Sequence, residues 1–349
     1  MSQTHYDDFI NDEYNAGSLE IINKTIHTVE RTPELKQAKN INYMEFKAIN
    51  NEYFSDKEHY EDNYWQLLYH IFWFKRSGEK VYELAPSLCD RFLATHIKKV
   101  PTDLLQMPFQ SILLKIPKGA LVREWNNVGR NTYVSDIYIH EGAHIDDTRM
   151  LKLFVIYRDR NDEKRWINMN FNIFLSKASV EECVNYSKDV IIRYFDEGIY
   201  KREGVDIEKP TEQDLKMLGD VFSFVMKSLL YIVGAEADIV YEDKSAPLFQ
   251  KLQRVKSGGK RKEIERRIAR AGSPRYYVGS RIVLSRGEKA IYDGIKAGNW
   301  TLSYRLCVQG HYKAQPYGEG HKLRKIIFIK PYEKGPELAD IINKDHYVK

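Results

Sequence analysis

Cysteine is scarce in this chain. Cys89, Cys183 and Cys307 stand far apart, and none belongs to a CxxC pair. Three scattered thiols build neither a disulfide framework nor a cysteine-rich zinc site, and they fit a reducing cytoplasm. No secretory signal is expected either, because MSQTHYDDFI shows no basic n-region and no apolar h-region. Long apolar runs are absent too. The longest apolar helix candidate, Leu215–Val233, carries Lys216, Asp220 and Lys227, so it reads as a core helix and not a membrane span. Internal repeats and low-complexity tracts are not found. These absences predict a cytoplasmic protein with no membrane partner, no cofactor and no metal.

Charge and tyrosine are plentiful. Charged residues make up 30% and hydrophobic ones 43%, the balance of an ordinary globular protein. At 349 residues the chain is long enough for two or three domains. The 24 tyrosines suit contact surfaces as well as cores, since each couples an apolar ring to a hydrogen-bonding tip. The net charge of +5 hides an asymmetry. Residues 2–62 hold thirteen Asp/Glu against six Lys/Arg, while residues 251–270 hold nine Lys/Arg against two Glu. That polarity points to a polyanionic partner at the C-terminal end.

Hydrophobic spacing then divides the chain. Residues 1–80 read as mainly helical. The best segment is Glu61–Arg76, where Trp65, Leu68, Ile71 and Phe72 recur at helical spacing; Lys75 and Arg76 suit the helix's negative end and Gly78 its cap. A second helix is expected over Pro86–His96. From Phe109 the period changes to two, predicting strands over Ser111–Ile116, Thr132–His140, Met150–Arg158 and Arg165–Phe174 in an antiparallel meander. Ser179 and Glu182 form a capping box for a helix to about Asp196. Pro210-Thr211 and Asp214 open another, and both helices are expected on one face of the sheet. Pro247 starts a possible helix, Ser257-Gly258-Gly259 breaks it, and Lys260–Arg270 resumes as a basic helix. A strand over Tyr276–Leu284 and a helix over Gly287–Lys296 follow.

Two motifs suggest chemistry that their surroundings withdraw. His140-Glu141-Gly142-Ala143-His144 matches HExxH, which needs one helix face to present both histidines to zinc. Here it ends a strand-like run, so a strand end and a turn are expected. Ser257-Gly258-Gly259-Lys260 resembles half of a phosphate loop, but Arg254 replaces the first glycine and Arg261 the Ser/Thr. The basic run Lys256, Lys260, Arg261, Lys262, Arg266, Arg267 and Arg270 is instead a candidate for phosphate-backbone contact, or simply a solvated helix face.

The most loaded stretch lies near the C-terminus. Two strand-like runs, Leu302–Val308 and Leu323–Lys330, flank a loop with Gly310, His311, Tyr312, Lys313, Pro316, Tyr317, Gly318, Gly320 and His321. The bland reading is a solvated loop; the sharper one is a nucleic-acid or ribosome contact using Arg281, His311, Tyr312, Lys313, Tyr317 and Arg324, side chains of the types that stack on bases and touch phosphates. Within it His311 and His321 could act as acid and base, with Lys313 and Arg324 stabilising a phosphorane, in a metal-free ribonuclease arrangement.

Several stretches together resemble the second family of type V-A anti-CRISPR proteins and their homologues on phages and plasmids. The carriers are Gln309-Gly310-His311-Tyr312, Tyr317-Gly318-Glu319-Gly320 and Arg324, which match an R-G-H-W … G-x-G … R signature with Gln309 and Tyr312 in place of Arg and Trp. Tyr276–Arg281, Gly234–Tyr241 and Ser111–Pro117 resemble other family segments, giving patchy coverage from about Ala85 to Lys334. The resemblance implies a protein that lowers a CRISPR effector nuclease by engaging the nascent polypeptide and triggering destruction of its messenger.

The expected fold class is α+β: a mainly helical N-terminal region (1–100), a central antiparallel sheet with two covering helices (101–242) and a basic C-terminal α+β domain (243–349). The expected function is a mobile-element counter-defence protein that suppresses production of a target by engaging its nascent chain or ribosome–mRNA complex. The alternatives are a toxin-like metal-independent endoribonuclease and a general nucleic-acid-binding protein.

Overall fold

Among the described residues, the computed structural model opens with five helices: α1 (His5–Asn11), α2 (Ala16–Arg31), α3 (Pro33–Gln37), α4 (Tyr43–Ile49) and α5 (Asp62–Arg76). The structure describes residues 4–12, 15–37, 41–50, 62–97, 100–125, 130–144, 146–198, 209–255, 257–282, 306–308, 310–330 and 332–334. The expected helix over Gly287–Lys296 falls outside them. Two compact units divide the chain, each from three separate stretches. The first takes Met1–Leu84, Phe109–Ile173 and Ile239–Tyr277, and the second takes Ala85–Pro108, Phe174–Asp238 and Val278–Lys349.

In the first unit α5 is the hub. Every residue from Leu67 to Phe74 is buried, so this helix is apolar all round instead of amphipathic. It shares one hydrophobic cluster with Ile22 and Val29 of α2, Phe46 of α4, and Val81, Leu113, Tyr138, Phe154 and Ile156 from the sheet. Each fully buried Leu or Phe stabilises by about 1.5–3 kcal/mol. The helix stops as its sequence suggests: Gly78 adopts φ +83°, and the Glu79 N–H reaches back to the Phe74 carbonyl at 3.0 Å, a Schellman-type closure.

The strands are β1 (Val81–Leu84), β2 (Thr95–His96), β3 (Ser111–Lys115), β4 (Val122–Trp125), β5 (Arg130–Ala143), β6 (Arg149–Asp159), β7 (Trp166–Phe174), β8 (Ile239–Glu242) and β9 (Arg275–Val278). The central sheet of the first unit runs β7-β6-β5-β3-β1-β9-β8, with β4 also paired to β5. Its β3, β5 and β6 are antiparallel, as the short turns require. Strand β1 departs from that pattern: it lies parallel to β3, Val81 opposite Leu113. The two are joined by a long crossover, and a crossover is what a parallel pair needs. Arg275 ties this sheet to the start of the chain, donating to Glu83 at 2.8 Å and to Asp7 at 2.8 Å.

In the second unit α6 (Pro86–Leu93), α7 (Val180–Asp196) and α8 (Glu212–Ile232) pack together. The helix expected over Pro86–His96 therefore ends three residues early, and Thr95–His96 joins a sheet. The predicted capping box of Ser179 with Glu182 forms, and Thr211 and Asp214, expected to open the next helix, do so with a second box. Lys227 of α8 donates to the Phe92 carbonyl at 2.8 Å, closing the end of α6, and burial pushes its ammonium down to about 8. The helix covering the sheet of the first unit is α5, whereas α7 and α8, expected there, belong to the second unit. A cluster of alternating apolar residues does not say which sheet it will meet. The strand expected over Tyr276–Leu284 ends at Val278, because Gly279 turns the chain at φ +75° and a Cβ there would sit 2.8 Å from Leu88.

Candidate nucleic-acid interface

The basic segment forms a helical hairpin in the first unit. Asp243 starts it by accepting hydrogen bonds from the Ser245 and Ala246 N–H groups at 2.9 and 3.1 Å. Helix α9 (Ala246–Arg254) follows, with Lys251 and Arg254 in its last turn and no buried residue. Helix α10 (Gly258–Ala271) begins just after Ser257 and ends at Gly272, φ +72°. The two pack on each other and hang from the ends of β8 and β9, which are neighbours in the sheet. Leu248, Leu252, Ile264 and Ile268 are half-buried, whereas Lys260, Arg261, Lys262, Arg266 and Arg267 are all exposed.

Helical geometry sorts these cations. Lys262 and Arg266, four residues apart and about 6 Å along the axis, lie on the side away from Ile264 and Ile268. Arg261 is engaged with Glu265 at 3.2 Å. Among the described residues Lys260, Lys262, Arg266 and Arg267 have no carboxylate partner. Lys256 lies outside the described residues, and of Arg270 only the backbone, inside α10, is described. The half phosphate loop is the start of α10, and a Cβ added at Gly258 or Gly259 would meet nothing within 4 Å, so no close approach requires glycine there.

The remaining candidates sit in the second unit, on a different element from the one expected. Gly310 to Tyr317 is not a loop but a strand, β11 (Gly310–Tyr317), after β10 (Leu306–Val308) and before β12 (Leu323–Ile329) and β13 (Tyr332–Lys334). β11 pairs antiparallel with β12 from His311↔Ile329 to Tyr317↔Leu323 and parallel with β2, while β10 pairs with β13. The turn is tight: Gly318 and Gly320 take φ +78° and +65°, a region glycine enters without steric cost. The glycines of the G-x-G signature therefore make a hairpin bend.

Alternation along β11 splits its candidates between two faces. Tyr312 is only 5% exposed; its hydroxyl donates to the Lys227 carbonyl at 2.6 Å and its ring lies 5.2 Å from that of Phe328. It offers no free ring to a base. Lys313, Tyr317 and Arg324 are exposed and His311 is half-buried. Arg324 pairs with Pro316, which puts it on the opposite face from His311 and Lys313. Arg281, also exposed, stands 3.5 Å from Asp238, whose carboxylate accepts its N–H. The backbone of His321 lies in the turn, six residue steps or about 20 Å of strand from His311. The ladder does not bring those two positions to one phosphate. Sequence reasoning passed over Leu323 and Lys325. The alternation that buries Ile326 was the signal that both face out.

HExxH lies in β5. His140 is fully buried, its ring stacked 4.2 Å from Trp73 and its Nδ1 3.2 Å from the Gln110 carbonyl. Burial holds its imidazole well below the usual range. His144 is four strand residues on, about 13 Å away, beside Asp146 at 3.0 Å. No cluster of three metal-ligating side chains occurs among the described residues, and no helix there is long and apolar enough to cross a membrane.

Comparison with known proteins places these elements. Residues 82–291 match the AcrVA2-like family, described as the anti-CRISPR type V subtype A2 family. That stretch includes the α9–α10 hairpin and stops before the β11–β12 signature. The crystal structure of AcrVA2 aligns over 95% of this chain and 99% of that one, with a TM-score of 0.53 and 14% sequence identity, a likeness of fold. No curated protein matches the sequence.

Proposed function

The chain belongs to the anti-CRISPR type V subtype A2 family, and from that membership we propose that it suppresses production of a target protein by engaging the nascent chain or ribosome–mRNA complex. The target class is a CRISPR effector nuclease, and the α9–α10 hairpin is the surface that meets RNA. The observation that carries this reading is the row of exposed, unpaired cations on α10. A helix with so little buried surface contributes little to folding, whereas each phosphate it neutralises releases counterions and favours association. In this reading the protein is a recognition adaptor, and its N-terminal helices are available to select the target.

The test is made in cells that translate a type V-A effector. Effector transcript and protein are measured with the wild-type chain and with Arg266→Ala/Arg267→Ala, alongside co-sedimentation with ribosomes. The expected result is a fall in both transcript and protein that the double variant relieves. Unchanged transcript and protein with blocked effector activity would instead mean action on the finished nuclease, and would remove the proposal.

A further inference from the structure

The β11–β12 hairpin is anchored at one end and bare at the other. Its base is held by Tyr312 on α8 and by the pairing of Gly310 with Thr95. Beyond Ala314 and Ile326 the ribbon emerges into solvent. Tyr317 is 43% exposed and its cross-strand partner Leu323 is 55% exposed. Lys325 places its ammonium 5.9 Å from the Tyr317 ring centroid. Leu323 also lies under Gly318, where a Cβ would come within 3.1 Å of its Cδ1. From Lys313 to Lys325 there are four cations, Lys313, Lys322, Arg324 and Lys325, against the single carboxylate of Glu319, and all five are exposed.

Resting on the RNA-directed reading above, we infer that this hairpin tip binds an unpaired base of single-stranded RNA, stacked on the Tyr317 ring with Lys322 and Lys325 at the flanking phosphates. One exposed ring matches one base face, and bases of a duplex already have stacking partners. The Tyr317 backbone is held by its pairing with Leu323 and by the glycine turn, so little backbone freedom is lost on binding. Tyr317 and Leu323 alone form too small an apolar wedge for stable membrane anchoring. Stacking reads no base edge, so the contact tolerates any sequence.

The experiment uses the full chain with a labelled, unstructured oligoadenylate, a duplex RNA of equal length, and vesicles rich in phosphatidylserine. Tyr317→Ala is expected to weaken single-strand binding by about ten-fold or more, spare the duplex, and abolish quenching of a 2-aminopurine placed in the oligonucleotide. Tyr317→Phe, which keeps the ring, is expected to bind like wild type. Circular dichroism melts check that each variant is folded. If Arg266→Ala/Arg267→Ala weakens binding while Tyr317→Ala leaves both affinity and quenching unchanged, the hairpin inference fails and the α10 reading stands. If the wild-type chain binds neither RNA, both fail. Loss of vesicle binding alone in Tyr317→Ala overturns the inference in favour of a membrane contact.

Discussion

Buried imidazoles make the stability of this protein depend on pH. His5 and His70 are pushed down to about 3 by burial, with Arg158 and Lys152 adding to it respectively, and His140 is lowered by the same cause. In the unfolded chain a histidine titrates near 6.5. Below that value the unfolded state binds more protons than the folded one, so stability falls as pH drops from about 6.5 toward 3, by about 1.4 kcal/mol per pH unit for each histidine at full effect. Asp136, raised by burial, opposes this: its contribution is present below the ordinary carboxylate value and lost as pH rises through its higher folded one. Three groups outweigh one, so thermal midpoints should drop clearly between pH 7 and about 5; a flat profile would mean that the histidines are protonated in the fold. Tyr312 makes a second prediction. Tyr312→Phe removes a single hydrogen bond and should cost about 1 kcal/mol, whereas Tyr312→Ala should cost about 3–5 kcal/mol by emptying a packed site. Urea unfolding measures both. Unchanged stability in Tyr312→Ala, together with weaker RNA binding, would make the residue a contact after all.

Elements whose signals are local were legible in the sequence. Ser179 with Glu182 and Thr211 with Asp214 announced two helix starts, and both boxes form. Ser179→Ala should therefore cost about 1 kcal/mol in denaturant unfolding; a loss below the error of that measurement would mean the cap is replaced by water. The aromatic spacing of Glu61–Arg76 correctly gave a core helix, and the strand-like run before His140 correctly argued against a zinc helix. β11 was hidden because Gly310, Pro316 and Gly318 punctuate it like a loop. A strand can carry Pro316 where its missing N–H leaves no ladder partner unsatisfied, and nothing in the sequence tells which side of the residue that is. For the candidate site, spacing placed the α10 cations on one helix and marked the β11 residues as a group. It could not say that alternation would turn Tyr312 inward or that the histidines sit at opposite ends of a ribbon, because register is set by pairing with residues far away in sequence.

For the whole molecule, charge sets affinity and pairing distance sets assembly. If Arg266 and Arg267 each neutralise a phosphate, the slope of log affinity against log salt for single-stranded RNA should become shallower by about 1.4 in the double alanine variant. An unaltered slope would place those cations away from the nucleic acid. The Arg275 fork joins residues 7, 83 and 275, and its side chain and that of Asp7 are largely shielded. Arg275→Met strands two carboxylates and should destabilise by roughly 3–5 kcal/mol, measured by urea unfolding, with α1 the first segment to become protease-sensitive. A variant as stable as wild type would show both carboxylates to be well hydrated. The braided order of the two units reaches further. A chain stopped before residue 239 lacks part of both, and only a stop beyond residue 277 leaves the three stretches of the first unit together. While the ribosome is still making this protein, the sheet waits for residues 239–277 and the tyrosine-tipped ribbon for the stretch beyond them. Shortening the chain to before residue 239 removes parts of both units before it isolates a function.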